Sequence, residues 1–319
     1  MRLVRKVGTK GVLAEAARRF LLDPAAALPL ARVDRNGLLD GDVRTVHEAE
    51  KRKIRASSLV VDASAVEKTY PLAFETDGRI LRYAFLPASS DSKGLVVLFH
   101  GHDSFLHMGP IRAWRDFDLL APWDTFGWQR RGSWFWGERG DGFVEALVQS
   151  LIAERRRVRP GLPWFCTGGS MGGFAALYHG IKYGCDGLYV VCPQVDLARK
   201  IDEYGGPVMA DNPYGHLAGR PGTALPDPVI VAAEQDSLPP LFLIQNLYDH
   251  VNPFAEHAWK LLEVYNRKRA WYGLRVHPSV GHGGDAKQEE AALFFSLILE
   301  KRPRPILSAD GMPWPSSPS

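Results

Sequence analysis

The sequence predicts one large α/β domain built on a mostly parallel sheet, and three observations carry that reading. Short apolar runs recur after Gly94, at Leu95 to Phe99, Leu119 to Pro122, Trp164 to Cys166, Leu188 to Val191, Leu241 to Ile244 and Leu274 to Val276. Between several of them lie stretches with apolar residues three and four apart, over Gly142 to Arg157, Met171 to Tyr183, Pro253 to Arg267 and Ala286 to Lys301. That spacing puts one apolar stripe on a helix. Strands that alternate with helices form βαβ units, whose strands run parallel. The composition agrees: 45% hydrophobic and 24% charged residues over 319 positions suffice for a sizeable core.

In chain order, residues 1–57 read as a helical N-terminal extension. It has an amphipathic helix from about Gly11 to Phe20 and a charge-rich one through His47 to Arg55, separated by a stretch punctuated with Pro and Gly. The main domain is expected over 58–301. It opens with strands at Ser58 to Val61, Tyr70 to Phe74 and Arg79 to Leu86, the last bounded by Gly78 and Pro87, which would form an antiparallel sheet edge. Between Gln194 and Pro240 the alternation breaks into Gly- and Pro-rich sequence. A crossover that long usually carries extra structure, so a lid or cap is expected over 194–240. The Pro- and Ser-rich tail over 302–319 is expected to dock loosely or not at all.

The formal net charge of +3 gives no argument for nucleic acid or an anionic membrane as partner. Lys51-Arg52-Lys53 and Arg155-Arg156-Arg157 read as solvated helix faces. Cys166, Cys185 and Cys192 are odd in number and lack CxxC spacing, which favours buried free thiols and a reducing compartment. Glu15, Arg18, Arg19 and Asp23 interrupt the apolar stretch a secretory signal would need, and no run of about 18 apolar residues suggests a membrane span. A soluble, cytoplasmic protein is expected.

The strongest local signal is Gly168-Gly169-Ser170-Met171-Gly172-Gly173, a GxSxG string. It follows the apolar run ending at Cys166 and precedes Phe174-Ala175-Ala176-Leu177-Tyr178, so it lies at a strand-to-helix turn, as a nucleophile elbow requires. The flanking glycines let strand and helix approach while the turn holds Ser170 strained. The amide of Met171, at the helix N-terminus, would face a developing oxyanion. A phosphate-binding loop is disfavoured because no Lys follows the glycines.

A serine hydroxyl needs a base. His282, in Val280-Gly281-His282-Gly283-Gly284, sits after the last expected strand and before the last helix, where a loop can reach the elbow. His277, His179 and His257 fall on a strand or on helices and fit less well. A carboxylate should fix the imidazole. Asp249, after the run Leu241 to Ile244, gives the order Ser170, Asp249, His282; Asp196, one strand earlier, is the alternative, while Asp285 reads as a helix cap.

The second oxyanion donor should come from the loop after the first parallel strand, Leu98-Phe99-His100-Gly101-His102-Asp103. The backbone amide of His102 is the expected donor, with Gly101 allowing close approach and Asp103 as a substrate contact. Five of the nine tryptophans fall between Trp114 and Trp136. Trp134 and Trp136 would either line a cleft for an apolar or sugar substrate or anchor their own loop.

On these motifs the chain resembles the α/β-hydrolase superfamily over about residues 94 to 301. The run Ser170 to Tyr178 followed by Cys192-Pro193-Gln194 is also similar to hydrolase-like proteins found with bacterial surface-polysaccharide and glycan-modification systems. The superfamily resemblance implies an eight-stranded, mostly parallel sheet flanked by helices and an acyl-enzyme route that needs no cofactor; no metal is expected either. The expected function is carboxylic ester hydrolysis on a small-molecule or glycan ester. Acyl transfer to or deacetylation of a glycan, and a catalytically silent binding protein on the same fold, are the alternatives.

Overall fold

The computed structural model describes residues 68–102, 111–207, 212–219, 224–284 and 286–301. The N-terminal extension over 1–57, the strand expected at Ser58 to Val61, Asp103, Asp285 and the tail over 302–319 lie outside the described residues.

Eight strands form one sheet: β1 (Leu72–Thr76), β2 (Arg79–Leu86), β3 (Leu95–Phe99), β4 (Asp118–Trp123), β5 (Trp164–Gly169), β6 (Gly187–Val191), β7 (Leu241–Tyr248) and β8 (Tyr272–Val280). Their order across the sheet is β1-β2-β4-β3-β5-β6-β7-β8. The first two pairings are antiparallel, β1 and β2 being joined through the turn at Asp77 and Gly78, and every pairing from β4 to β8 is parallel. Side chains alternate across the sheet, which explains how near-continuous apolar runs serve two cores. Leu95, Val97 and Phe99 of β3 face one core, whereas Val96 faces the other.

The first core is closed by α1 (Phe143–Val158), α2 (Met171–Lys182) and α5 (Ala258–Arg267). The second is closed by α6 (Gln288–Lys301), where Phe295 stacks on Phe165 at 4.5 Å between ring centroids. The long crossover between β6 and β7 carries α3 (Leu197–Glu203) and α4 (Pro228–Glu234), with a 3-10 turn at Gly215–Leu217 between them. Asp227 caps α4 by accepting from the amides of Val229 and Ile230, and Pro228 occupies the first turn, where no amide is needed. Within the stretch expected as a lid, α4 packs on α2 and α5, and Tyr214 and Leu217 join the first core.

Within the described residues the expected strands and helices appear in order. The chief differences are extensions of strands past their apolar runs: β7 continues through Gln245 and Asn246, and β8 through His277. These residues pair in the ladder, Asn246 opposite His277, and carry polar side chains that apolar periodicity does not register. Among the described residues no helix is long and apolar enough to cross a membrane.

Candidate active site

Ser170 links β5 to α2 with φ 56° and ψ −117°, a backbone conformation sparsely populated by residues other than glycine. The surroundings over-determine it. Its amide donates to the Val191 carbonyl at 2.9 Å, and its carbonyl accepts from the Phe174 amide at 3.0 Å. The helix also lies hard against β3: a Cβ on Gly172 would overlap the Phe99 carbonyl oxygen, and one on Gly168 would overlap Gly172 and sit 2.8 Å from that same Phe99 oxygen. Met171 opens α2, so its amide is among the first in the helix, which have no intrahelical acceptor.

Strands β5 to β8 are consecutive neighbours in the sheet, and each delivers one residue at its carboxyl end: Ser170 after β5, Cys192 after β6, Asp249 after β7 and His282 after β8. His282 Nδ1 lies 2.9 Å from Asp249 Oδ2 and 3.1 Å from Oδ1. The carboxylate is fully buried. Its Oδ1 accepts from the amides of Val251 and Asn252, both at 2.9 Å, and its Oδ2 from Gln245 Nε2 at 3.2 Å. With only donors around it, Asp249 takes its hydrogen bond from His282 Nδ1–H, which leaves Nε2 with the lone pair. That Nε2 is buried and has no hydrogen-bond partner among the described residues.

Burial opposes a charged His282, but the Cys192 sulfur and the Asp249 carboxylate beside it prevail and raise its pKa well above the ordinary histidine value. Cys192 is itself buried, at φ 38°. The loop is tied down by Asn246 Nδ2, which donates to the Gly281 carbonyl at 3.0 Å. Asp196 is engaged elsewhere: it accepts from the Arg199 amide at the start of α3 and pairs with Lys260 Nζ at 2.7 Å.

In front of the elbow, the β3 loop is fastened by a side chain to which the sequence assigns no role. His100 Nδ1 donates to the Gly101 carbonyl at 2.9 Å, and Nε2 accepts from the Asp124 amide at 3.0 Å. Burial pushes His100 down to about 4, so it stays neutral in this role. Asp124, fully buried, gathers the tryptophan-rich loop by accepting from the amides of Phe126, Ser133 and Phe135 and from Ser133 Oγ. Burial pushes its carboxyl up to about 6 against the pull of those donors.

Trp134 and Trp136 are both buried. Trp136 accepts through its carbonyl from the Glu145 amide of α1 and so anchors that helix. Trp134 packs among aromatics: its ring lies 5.5 Å from that of His102 and 4.6 Å from that of Tyr214, and its Nε1 donates to Gln194 Oε1 at 2.6 Å. Gln194 in turn donates to Tyr214 through Nε2 and, through its amide, to the Ser170 carbonyl at 3.4 Å. The β3 loop, the tryptophan loop and the crossover segment around Tyr214 therefore meet in one aromatic layer beside the elbow.

The strand order, the strained serine between β5 and α2, and the acid and histidine after β7 and β8 reproduce a known architecture. The chain has the α/β-hydrolase fold. Its structure is similar to the acylaminoacyl peptidase of Pyrococcus horikoshii, with TM-score 0.51 and 13% identity over 72% of this chain and 40% of that one. It is also similar to the capsule O-acetyltransferase of Neisseria meningitidis serogroup A, with TM-score 0.51 and 17% identity over 72% of this chain and 94% of that one. The matched region thus spans well under half of the peptidase. No family model matches the sequence, and no curated protein matches it. The fold is shared with serine hydrolases.

Four residues that position the site without reacting carry little signal in the sequence: His100, Gln245, Asn246 and Asn252. Each is only a polar residue inside or just after a strand-like run. Cys192 reads as a buried thiol and no more, since nothing in its spacing places it next to a histidine ninety residues later.

Proposed function

We propose that the chain is a serine-dependent carboxylic ester hydrolase. The observation that carries the reading is the Asp249–His282 pair with the imidazole Nε2 lone pair unengaged, at the strand ends that also deliver a strained Ser170. In this reading His282 Nε2 takes the proton of Ser170 Oγ as the oxygen attacks the acyl carbonyl. The amides of Met171 and His102 receive the negative charge on the carbonyl oxygen, and Asp249 stabilises the imidazolium. His282 then protonates the departing alcohol. Water, deprotonated by the same base, releases the acid from the acyl-enzyme.

A second reading is transfer of the acyl group to a sugar hydroxyl in place of water. An O-acetyltransferase on the same fold supports it. The test is fluorophosphonate labelling with peptide mapping, followed by hydrolysis of short-chain and sugar esters with and without a glycan acceptor. Labelling at Ser170 that disappears in Ser170→Ala and His282→Ala is expected. Absence of labelling in folded wild type overturns the hydrolase reading. Free acid as the sole product at every acceptor concentration excludes transfer.

A further inference from the structure

The three residues that meet at the ends of β6, β7 and β8 are an acid, an imidazole and a thiol. Cys192 Sγ, a nitrogen of His282 and a carboxylate oxygen of Asp249 lie within 4.8 Å of one another. Ester chemistry has no use for the thiol. It is buried at a positive φ, so the backbone holds it there at some cost.

We propose that Cys192, Asp249 and His282 form a binding site for one zinc ion, and that zinc bound there reversibly silences the serine. Thiolate, imidazole and carboxylate together are the donor set of zinc and cobalt, not of magnesium or calcium. Three protein ligands leave one tetrahedral position for water. Zinc–ligand bonds of about 2.0–2.3 Å place ligand atoms roughly 3.4–3.6 Å apart, so a set already gathered within 4.8 Å needs a shift of about 1 Å or less.

His282 stands between Gly281 and Gly283, both at positive φ, and a Cβ on either would meet nothing within 4 Å. The outer shell that a metal site needs is built in as well: Gln245 Nε2 and two backbone amides hold the carboxylate, and Asn252 Nδ2 donates to the Cys192 carbonyl at 2.8 Å. The His282 Nε2 atom, buried with no hydrogen-bond partner among the described residues, has a lone pair free for a metal. Binding displaces the thiol proton and, where His282 is charged, the extra imidazolium proton, and releases both to solvent. No redox partner is required. The consequence for catalysis rests on the proposed role of His282 as base, since a ligated imidazole no longer accepts the serine proton.

The test uses the full chain, stripped with a chelator. Equilibrium dialysis with zinc, the absorption spectrum with cobalt, and the rate of ester hydrolysis and Ser170 labelling are measured for wild type, Cys192→Ser and Cys192→Ala. One equivalent of zinc, a cobalt–thiolate charge-transfer band, and loss of hydrolysis that chelator restores are expected in wild type. Both variants should lose the band and bind zinc at least the roughly 10–100-fold more weakly that loss of an outer-shell partner alone causes. Zinc binding that is absent from wild type, or unchanged in both variants, overturns the site. If metal-free wild type neither hydrolyses esters nor labels, the hydrolase reading falls, while dialysis and the cobalt spectrum still decide the metal site.

Discussion

Asp249→Asn tests the site most directly, because the surroundings dictate how the new amide must lie. The Oδ1 position accepts from two backbone amides, of Val251 and Asn252, each at 2.9 Å. Only the oxygen of the introduced carboxamide can stand there, so its NH2 occupies the Oδ2 position. There it faces His282 Nδ1, formerly 2.9 Å from an acceptor, and the Gln245 Nε2 donor at 3.2 Å. The imidazole then accepts through Nδ1 and carries its proton on Nε2, which can no longer take a proton from Ser170. A wrong tautomer in an otherwise intact arrangement of this kind lowers kcat by about 10⁴-fold, or roughly 5–6 kcal/mol of transition-state stabilisation. The NH2 of the introduced carboxamide, set against that of Gln245, should cost about 1–3 kcal/mol of stability. Steady-state hydrolysis of a short-chain nitrophenyl ester and the rate of fluorophosphonate labelling measure the first, and urea denaturation the second. A folded Asp249→Asn protein that keeps its rate within tenfold would refute the tautomer argument.

The pH dependence of hydrolysis should follow His282. Its raised pKa keeps the imidazole charged at pH values where a free histidine is neutral, so kcat/KM in the presence of chelator should climb with pH through a midpoint above the usual 6.5. Cys192→Ala should move that midpoint down; a profile with no rise between about pH 5 and 9 counts against His282 as base. Gly172→Ala should destabilise the fold by about 1–3 kcal/mol in urea denaturation, despite alanine's better helix propensity, because its Cβ would overlap the Phe99 carbonyl. Unchanged stability would mean α2 can retreat from β3. Asn246→Ala removes the bond to the Gly281 carbonyl and should lower kcat by about 10- to 100-fold through misplacement of His282, with little change in KM. Loss of the cooperative urea unfolding transition seen in wild type would point to unfolding instead.

The scaffold is legible because burial on both faces forces parallel strands into apolar runs. Leu95 to Phe99 has the same bounds in sequence and structure, and so has Arg79 to Leu86. The same rule loses the last residues of β7, where Gln245 and Asn246 are buried but polar. Their partners, Asp249 and the Gly281 carbonyl, lie on a following loop and on another strand's exit, so nothing local announces that they will be satisfied. His100 escapes for a like reason. An imidazole at a strand end reads as a surface residue until the Asp124 amide, twenty-four positions on, is brought against it.

Position alone leaves the choice between Asp196 and Asp249 open, since each follows a parallel strand one or two places from the elbow. What separates them is the use each makes of its lone pairs. Asp196 caps α3 and pairs with Lys260; burial pushes its carboxyl up, yet the Lys260 ammonium and the Arg199 amide outweigh that and hold it below the usual range. It is a charge already neutralised by a cation. Asp249 is the more deeply buried, and the groups that hydrogen-bond to it are two backbone amides, one glutamine and the imidazole. Those dipoles orient the carboxylate without cancelling its charge. An imidazole that carries positive charge in the transition state gains most from a neighbour of that kind, since a buried, oriented negative charge stabilises a positive one beside it.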